Sequence, residues 1–133
     1  MNNNNILVEY NQEISTLLYN LFQDKIKTNQ DKVDLKKMYH TLENRFKLID
    51  TTTDDINDII PSGSFIYYIK YNFTDINKIK FNKSGFVTYD DNNIIKIFNY
   101  NKYWKIKKNN YIIFKKLTSN ELLRLQFSQI CKN

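Results

Sequence analysis

Lysines and aromatic residues alternate in short runs through the second half of the chain. Residues 103–107 read Tyr-Trp-Lys-Ile-Lys, and every second residue of a β-strand shares a face. Tyr103, Lys105 and Lys107 are therefore predicted to point one way, and Trp104 the other. Lysines contact phosphates, and exposed tyrosines stack on bases. The spacing thus predicts a nucleic-acid-binding face of the kind that tolerates many sequences.

Two further lysines are assigned to this predicted face from neighbouring strands. The complete set of predicted nucleic-acid-binding residues is Lys96, Tyr103, Lys105, Lys107 and Lys115. The large apolar residues that alternate with them are expected in the core, namely Trp104, Ile106, Ile112 and Phe114. The alternative is a solvated sheet face, on which lysines only maintain solubility and discourage edge-to-edge aggregation. Heavy use of Asn, Ile, Lys and Tyr also indicates AT-rich codon bias, which would supply lysines without a function.

Residues for covalent or acid–base catalysis are too few and too scattered to predict an active site. The only histidine, His40, lies in a helical segment, and the only cysteine is Cys131. A nucleophile needs a base within reach, and only tertiary folding would bring these two together. Carboxylates for glycoside chemistry would have to come from Asp75, Asp90 and Asp91. We therefore predict no catalytic residue and a protein that is not an enzyme.

Metal and cofactor sites are not predicted either. One histidine and one cysteine cannot supply a structural zinc set. The aspartates at 54, 55 and 58 lack the alternating ligands and central glycine of a calcium loop. The two glycines, Gly63 and Gly85, lie too far apart for a phosphate-binding loop. No metal and no cofactor are expected.

Positive charge and aromatic side chains are concentrated in the middle of the chain. The 133 residues carry a formal net charge of +6, yet residues 60–117 alone hold 11 lysines against 3 aspartates. The same segment holds 14 of the 20 aromatic residues. This asymmetry indicates an anionic partner for the β-rich part of the chain.

Nothing in the sequence predicts export or a membrane partner. A run of about 20 apolar residues is absent, and Met1 is followed by four asparagines rather than by the apolar core of a leader. The single cysteine cannot form an intramolecular disulfide, which favours a reducing, intracellular setting.

Two apolar stripes with helical spacing precede the β-rich part. The first stripe contains Ile14, Leu17, Leu18, Leu21, Phe22 and Ile26. The second contains Leu35, Met38, Tyr39, Leu42, Phe46 and Ile49. The polar residues 28–31, with Asp31 as the expected N-cap, predict a helical hairpin. One long helix is the alternative, because a heptad pattern stays in register through the gap and places Lys25, Thr28 and Lys32 on the seam.

The predicted fold class is α+β, with an N-terminal helical segment, a small antiparallel β-barrel or meander of five to six strands, and a C-terminal helix. Turn signals at 82–85, 90–93, 99–101 and 108–110 separate the short strands. Residues 118–121, Thr-Ser-Asn-Glu, form a capping-box pattern that starts the last helix. The predicted organisation is a flexible N-terminus at 1–10, a helical segment at 11–50, an acidic connector at 51–61, a basic barrel at 62–117 and a C-terminal helix at 118–131.

An ordered series of short motifs runs through residues 60–130. A proline-glycine turn and strand at 61–69 is followed by a glycine strand at 84–87 and a tryptophan strand at 103–106. The series ends with a Phe-Lys-Lys-Leu segment at 113–118 and the helical residues 121–123. This order resembles small uncharacterised proteins of giant DNA viruses of amoebae. Such proteins often carry Gly-Gly where this chain has Ser84-Gly85, and Arg where it has Tyr67. The resemblance implies a viral origin, with the host cytoplasm or the virion as location, and brings no established activity.

The layout of the β-rich part is also similar to SH3-like and Tudor-like small barrels. Those barrels bind peptides, methylated side chains, nucleic acid or other subunits, so the fold does not select a ligand. A second hypothesis therefore stays beside nucleic-acid binding. In it the chain is a structural or assembly protein that docks to itself, as a homodimer, or to a larger viral complex, through Leu17, Leu21, Leu35, Leu42 and Phe46.

Overall fold

Helices and one sheet follow each other in the predicted α+β order. The computed structural model describes residues 6–52, 59–71 and 83–132. Its helices are α1 (Ile6–Phe22), α2 (Asn29–Leu42) and α3 (Ser119–Lys132). Its strands are β1 (Phe46–Ile49), β2 (Phe65–Lys70), β3 (Ser84–Asp90), β4 (Ile94–Asn99), β5 (Lys102–Lys107) and β6 (Tyr111–Lys116). The predicted fold class is confirmed, with six strands in one antiparallel sheet.

Two helices, rather than one long helix, form the N-terminal segment. A 3-10 turn, Gln23–Lys25, follows α1, and Thr28 is the N-cap of α2. The Thr28 hydroxyl accepts a hydrogen bond from the Asp31 N–H at 3.1 Å, and the Asp31 carboxylate accepts one from the Thr28 N–H at 3.2 Å. This reciprocal capping box satisfies two N–H groups that a helix start leaves without partners. It corrects the predicted cap, because Asp31 is the third helical residue and not the N-cap.

The first helix begins earlier than predicted and the second ends earlier. Residues 6–10, predicted as flexible, belong to α1, and residues 1–5 lie outside the described residues. α2 ends at Leu42 because Asn44 adopts a left-handed φ of 62°, which stops a helix. Phe46 and Ile49, predicted on the second helical stripe, lie on β1 instead. The helical segment predicted at 11–50 was therefore too long at its C-terminal end.

Asn11 and Asn44 join the two helices by a pair of hydrogen bonds. The Asn44 N–H donates to Asn11 Oδ1 at 2.9 Å, and Asn11 Nδ2 donates to Asn44 Oδ1 at 2.8 Å. The beginning of α1 therefore lies beside the end of α2, which is the arrangement of the predicted hairpin.

The sheet has the strand order β1-β6-β2-β3-β4-β5. Hairpins join β3 to β4 and β4 to β5, and β6 lies between β1 and β2. In the first hairpin, Asp91 Oδ1 accepts the N–H groups of Asn93 (2.9 Å) and Ile94 (2.7 Å). These hydrogen bonds stabilise the charged carboxylate and lower the pKa of Asp91. In the second hairpin, Tyr100 and Asn101 both have positive φ, at 50° and 64°, as a type I′ turn requires.

One side of the sheet carries the core of the β-rich part, and we call it the concave face. Its buried residues are Ile49, Ile60, Ile66, Tyr68, Val87, Ile95, Ile97, Ile106 and Ile113. Trp104 Nε1 on β5 donates to Tyr68 Oη on β2 at 2.7 Å, although two strands separate β5 from β2. Adjacent strands lie about 4.8 Å apart, so this short bond between side chains requires the sheet to curl.

Gly85 on β3 allows β3 and β4 to approach each other closely in the curled sheet. A Cβ atom at this position would overlap Ile97 Cγ2 and lie 3.1 Å from the Phe98 carbonyl oxygen. The turn signal at 82–85 overlaps the glycine strand predicted at 84–87, and the strand is confirmed, since Ser84 and Gly85 are strand residues. The glycine is needed for close approach to β4 rather than for a turn.

The chain forms two compact units, Met1–Lys47 with Lys116–Asn133, and Leu48–Lys115. In the first unit the buried apolar residues are Ile14, Leu18, Phe22, Met38, Leu42, Phe46 and Leu117. The capping box predicted for α3 is present there, since Thr118 Oγ1 accepts from the Glu121 N–H at 3.1 Å and Glu121 Oε1 accepts from the Thr118 N–H at 3.0 Å.

Candidate functional site

The side of the sheet opposite the concave face carries the predicted lysines of β4 and β5. Strand register places Lys96 beside Lys105, and Phe98 beside Tyr103. Lys107 lies two residues beyond Lys105 on the same side. All three lysines are exposed, and Tyr103 is 74% exposed. We call this surface the open face and assign to it Phe65, Tyr67, Phe86, Tyr89, Lys96, Phe98, Tyr103, Lys105 and Lys107.

Aromatic rings cross the open face over four strands. Phe65 contacts Tyr67 at a ring-centroid distance of 5.4 Å and Phe86 at 5.2 Å. Phe86 lies directly opposite Phe98 in the strand register, and the rings of Phe98 and Tyr103 are 4.6 Å apart. The edge-on and tilted geometries are those that aromatic pairs prefer. The rings therefore form a nearly continuous apolar band from β2 to β5.

A β-bulge adds Tyr89 to the same surface. Phe86 and Tyr89 are three residues apart on β3, so regular alternation would send them to opposite sides. The strand register shifts between Val87 and Tyr89, and Tyr89 pairs with Lys96. The extra residue turns the Tyr89 ring to the open face, where it is 48% exposed. The Lys96 ammonium lies over this ring, 5.1 Å from its centroid, in a cation–π contact.

The lysines of the open face have no ion pair with any carboxylate that the structure describes. Among the described residues, no carboxylate lies within ion-pair distance of Lys96, Lys105 or Lys107. Lys96 and Lys105 lie directly opposite each other, an arrangement of like charges that destabilises an antiparallel pair. An anion bound between the two lysines would relieve that repulsion.

Lys115 does not belong to this surface. It lies opposite Ile66, whose side chain faces the core, and it is only 5% exposed. Lys115 lies on β6, a strand with neighbours on both sides on which the run 112–115 is buried. Both sides of this part of the strand are buried, so alternation along β6 does not distinguish exposed from buried positions. The predicted role of Lys115 as a surface lysine is therefore wrong.

The other three predicted core residues are buried, but Trp104 is only half-buried. Ile106, Ile112 and Phe114 are 6%, 2% and 0% exposed. Trp104 packs against the core cluster of the concave face. Its indole ring also lines a cavity that is open to solvent, which explains its partial exposure.

The predicted interaction stripe of the helical segment is buried at two of its five positions. Leu42 is 0% exposed and Phe46 is 3% exposed, so neither offers a surface to a partner. Leu17, Leu21 and Leu35 are half-buried. The stripe therefore supplies core packing at two of its five positions, and this corrects the prediction that all five are available for docking.

The residues considered for chemistry that the structure describes lie at the surface or have structural partners. His40 lies on the surface of α2, with Nδ1 3.6 Å from a Glu43 carboxylate oxygen. Asp90 is buried in an ion pair with Lys108. Asp54, Asp55, Asp58 and Asp75 lie outside the described residues. In the described part of the chain, no three His, Cys, Asp or Glu residues come close enough to hold a metal ion.

Sequence reasoning missed most of the aromatic band. Phe65, Tyr67, Phe86 and Phe98 are spread over three strands, and only strand register brings them together. Their aromatic character was visible in the sequence, but the pairing of Phe65 with Phe86 and of Phe86 with Phe98 was not. The only local signal is that residues two apart on one strand share a face. This signal pairs Phe65 with Tyr67 and does not predict the other contacts of the band.

Comparisons of the chain with family models, with curated proteins and with solved structures found no match. None of the described helices is both long and apolar enough to cross a membrane. The geometry of the open face is therefore the basis on which a function is argued.

Proposed function

We propose that this protein is a non-enzymatic binding module that holds single-stranded nucleic acid on its open face. The observation that carries the proposal is the band of aromatic rings over four strands, bordered by lysines that have no carboxylate partner in the described part of the chain. Proteins that bind single strands without sequence preference combine these two elements, since rings stack on bases and lysines attract the backbone.

The exposed rings are the expected stacking platforms. Tyr103 and Phe86 are 74% and 46% exposed, whereas Phe65 and Phe98 are half-buried and support them from the side. Stacking needs an unpaired base with an accessible face, so a single strand is favoured over a duplex. The Lys96–Lys105 pair and Lys107 then lie beside the band, where phosphates of the stacked strand would follow.

Salt dependence tests the proposal directly. A fluorescently labelled single strand of mixed sequence is titrated with the protein at about 50 mM salt, and the titration is repeated as the salt concentration rises. Three neutralised phosphates predict a log–log slope of about −2, at about −0.7 per phosphate. A matched duplex should bind more weakly at every salt concentration. Absence of retention of either nucleic acid at about 50 mM salt would contradict the proposal, because even non-specific basic proteins bind there.

The alternative function is assembly through the helical segment. With Leu42 and Phe46 buried, this alternative depends on the half-buried Leu17, Leu21 and Leu35. Light scattering of the protein with and without a short single strand separates the two functions. A mass that doubles without nucleic acid supports assembly, and a monomer that gains mass only with the strand supports the open face.

We also propose a viral origin and an intracellular setting for this protein. The first is supported by the order of motifs through residues 60–130, and the second by the single cysteine. Similarity of layout to SH3-like and Tudor-like barrels supports a binding role in general and selects no ligand.

A further inference from the structure

A cavity of about 700 Å³ opens on the concave face. Four aromatic residues line it: Tyr68 on β2, Trp104 on β5, Tyr111 on β6 and Tyr100 in the β4–β5 turn. The Tyr68 and Tyr111 rings meet edge to face at 5.4 Å, and Trp104 is joined to Tyr68 by its indole N–H. The cavity is of the size at which pockets hold small organic ligands, and its walls suit a planar ring.

The hydroxyl of Tyr68 has hydrogen-bonding capacity left for a ligand. Tyr68 is only 4% exposed, and its oxygen accepts the Trp104 Nε1–H at 2.7 Å. Its own proton has no acceptor among the described residues, although a buried tyrosine hydroxyl usually finds one. Burial raises the pKa of Tyr68, and the hydrogen bond from Trp104 opposes this shift. The hydroxyl is therefore a neutral donor at the wall of the cavity.

The polar part of the lining is basic. Lys83 and Lys102 are exposed and line the cavity together with Lys105. Asn99 also lines it, with its side-chain N–H held by the Ser84 carbonyl at 2.9 Å. None of the described lining residues carries a carboxylate. This charge disfavours a methylated lysine, the cation that aromatic cages bind, and favours a ligand with a negative group.

We propose that the cavity binds a planar aromatic ring that carries a phosphate, such as a nucleotide, free or at the end of a strand. The ring lies against Trp104 and Tyr111, an acceptor on the ligand receives the Tyr68 proton, and the phosphate lies at Lys102 and Lys83. This site shares Lys105 with the open face, but its aromatic wall lies on the other side of the sheet and it goes beyond the proposed function, since Trp104 and Tyr103 point to opposite sides of β5.

Trp104 is the only tryptophan in the chain, so its emission reports on the cavity wall. The protein is titrated with AMP, with adenosine and with inorganic phosphate, and Trp104 emission is followed. We expect a saturable change with AMP and binding at least about tenfold weaker with either half of the molecule. Absence of a saturable change up to about 1 mM AMP, an affinity at the weak limit of specific binding, overturns the proposal.

Two variants and one control locate the site. Lys102→Gln should weaken AMP binding about tenfold, the loss of one charge-assisted contact. Lys107→Gln removes the same charge from the open face and should change it less than twofold. Equal weakening by the two substitutions would mean that only net charge acts, which overturns the proposal. Tyr68→Phe keeps the ring and removes the hydroxyl; unchanged AMP affinity in this variant contradicts the assigned donor. Circular dichroism checks that each variant folds.

The two sources of ligand are separated in a variant that lacks the open-face lysines Lys96 and Lys107, both changed to Gln. A short single strand with a 5′ phosphate is tested as a competitor of AMP, beside the same strand with a 5′ hydroxyl. Competition by the phosphorylated strand alone identifies a strand end as a ligand, and competition by neither strand identifies a free nucleotide. AMP binding that persists while the wild type fails to bind oligonucleotides would overturn the open-face function and leave the cavity site standing.

Discussion

Lys108 Nζ lies 2.9 Å from Asp90 Oδ2, and both side chains are buried. The same carboxylate oxygen accepts the Ile60 N–H at 2.8 Å, and Lys108 Nζ also donates to Asn92 Oδ1 at 2.9 Å. This ion pair therefore joins the β3–β4 turn, the 3-10 turn after β5 and the segment before β2. A buried charge that loses its partner is strongly destabilising, even where the pair itself adds little net stability.

Lys108→Met should lower the free energy of unfolding by about 3–5 kcal/mol, because Asp90 would stay buried without its partner. The measurement is urea denaturation followed by circular dichroism. Lys107→Met is the control, since Lys107 is exposed beside it and should change stability by less than about 0.5 kcal/mol. Equal effects of the two substitutions would contradict a specific buried pair. The double variant Lys108→Met with Asp90→Asn should recover part of the loss.

Gly85→Ala should destabilise the protein by about 1–3 kcal/mol through overpacking, since the new methyl group meets Ile97 and the Phe98 carbonyl. Ser84→Ala, one residue earlier on β3 and half-buried, serves as the control and should be close to neutral. Thermal unfolding of the three proteins under one buffer makes the comparison. A Gly85→Ala variant as stable as the wild type would show that β3 can move away from β4.

Tyr100→Asn should raise the free energy of unfolding by about 1 kcal/mol. Tyr100 has a φ of 50° at the tip of the β4–β5 hairpin and is 89% exposed. Its left-handed conformation is therefore strained, and burial of the ring does not offset that strain. Asn tolerates this conformation better than Tyr. Chemical denaturation measures the gain. Asn101→Ala, at the neighbouring position of the same turn, should have the opposite sign.

Lys105→Gln combined with Lys107→Gln should weaken single-strand binding for all sequences alike and flatten the salt slope by about one to two units. The control is Lys27→Gln combined with Lys37→Gln, two exposed lysines of the helical segment that change the net charge by the same amount. If both double variants lose affinity equally, net charge rather than the open face determines binding. Fluorescence anisotropy at several salt concentrations gives the slopes.

Tyr103→Ala should weaken single-strand binding by about 1–3 kcal/mol, the usual contribution of one stacked base, and should affect duplex binding much less. Tyr19→Ala is the matched control, because Tyr19 is 62% exposed on α1 and has no place on the open face. Equal losses on single strand and duplex would contradict stacking on Tyr103. The same anisotropy assay is used with both nucleic acids.

The sequence was sufficient where a pattern is local. Alternation in β5 places Tyr103 and Lys105 together, and the asparagines in the turn signal at 99–101 predict the turn that the structure has at Tyr100-Asn101. The sequence was insufficient where the burial or facing of a residue depends on the position of its strand in the sheet. Nothing near Lys115 shows that its strand lies between two others. The bulge that turns Tyr89 to the open face is likewise a property of the β3–β4 pairing and not of β3 alone.

The helical stripes show a second limit of the same kind. Phe46 continues the apolar spacing of α2 and was predicted on that helix, but Asn44 interrupts it in a left-handed conformation. Asn is compatible with several backbone conformations, so a single Asn in the sequence does not predict the end of a helix. Periodicity located the apolar residues correctly and assigned two of them to the wrong element.

The strand β6 is made last and yet lies between β1 and β2. A ribosome that has released the chain only to Asn110 has exposed β1 and β2, but not the strand that hydrogen-bonds to both. The β3–β4–β5 meander can form at that stage from neighbouring hairpins. β2 can also pair with β3 at that stage, so only β1 must wait, and completion of the sheet is a late event that inserts one strand between β1 and β2. A stop codon before Tyr111 would therefore separate β1 from the rest of the sheet rather than trim its edge.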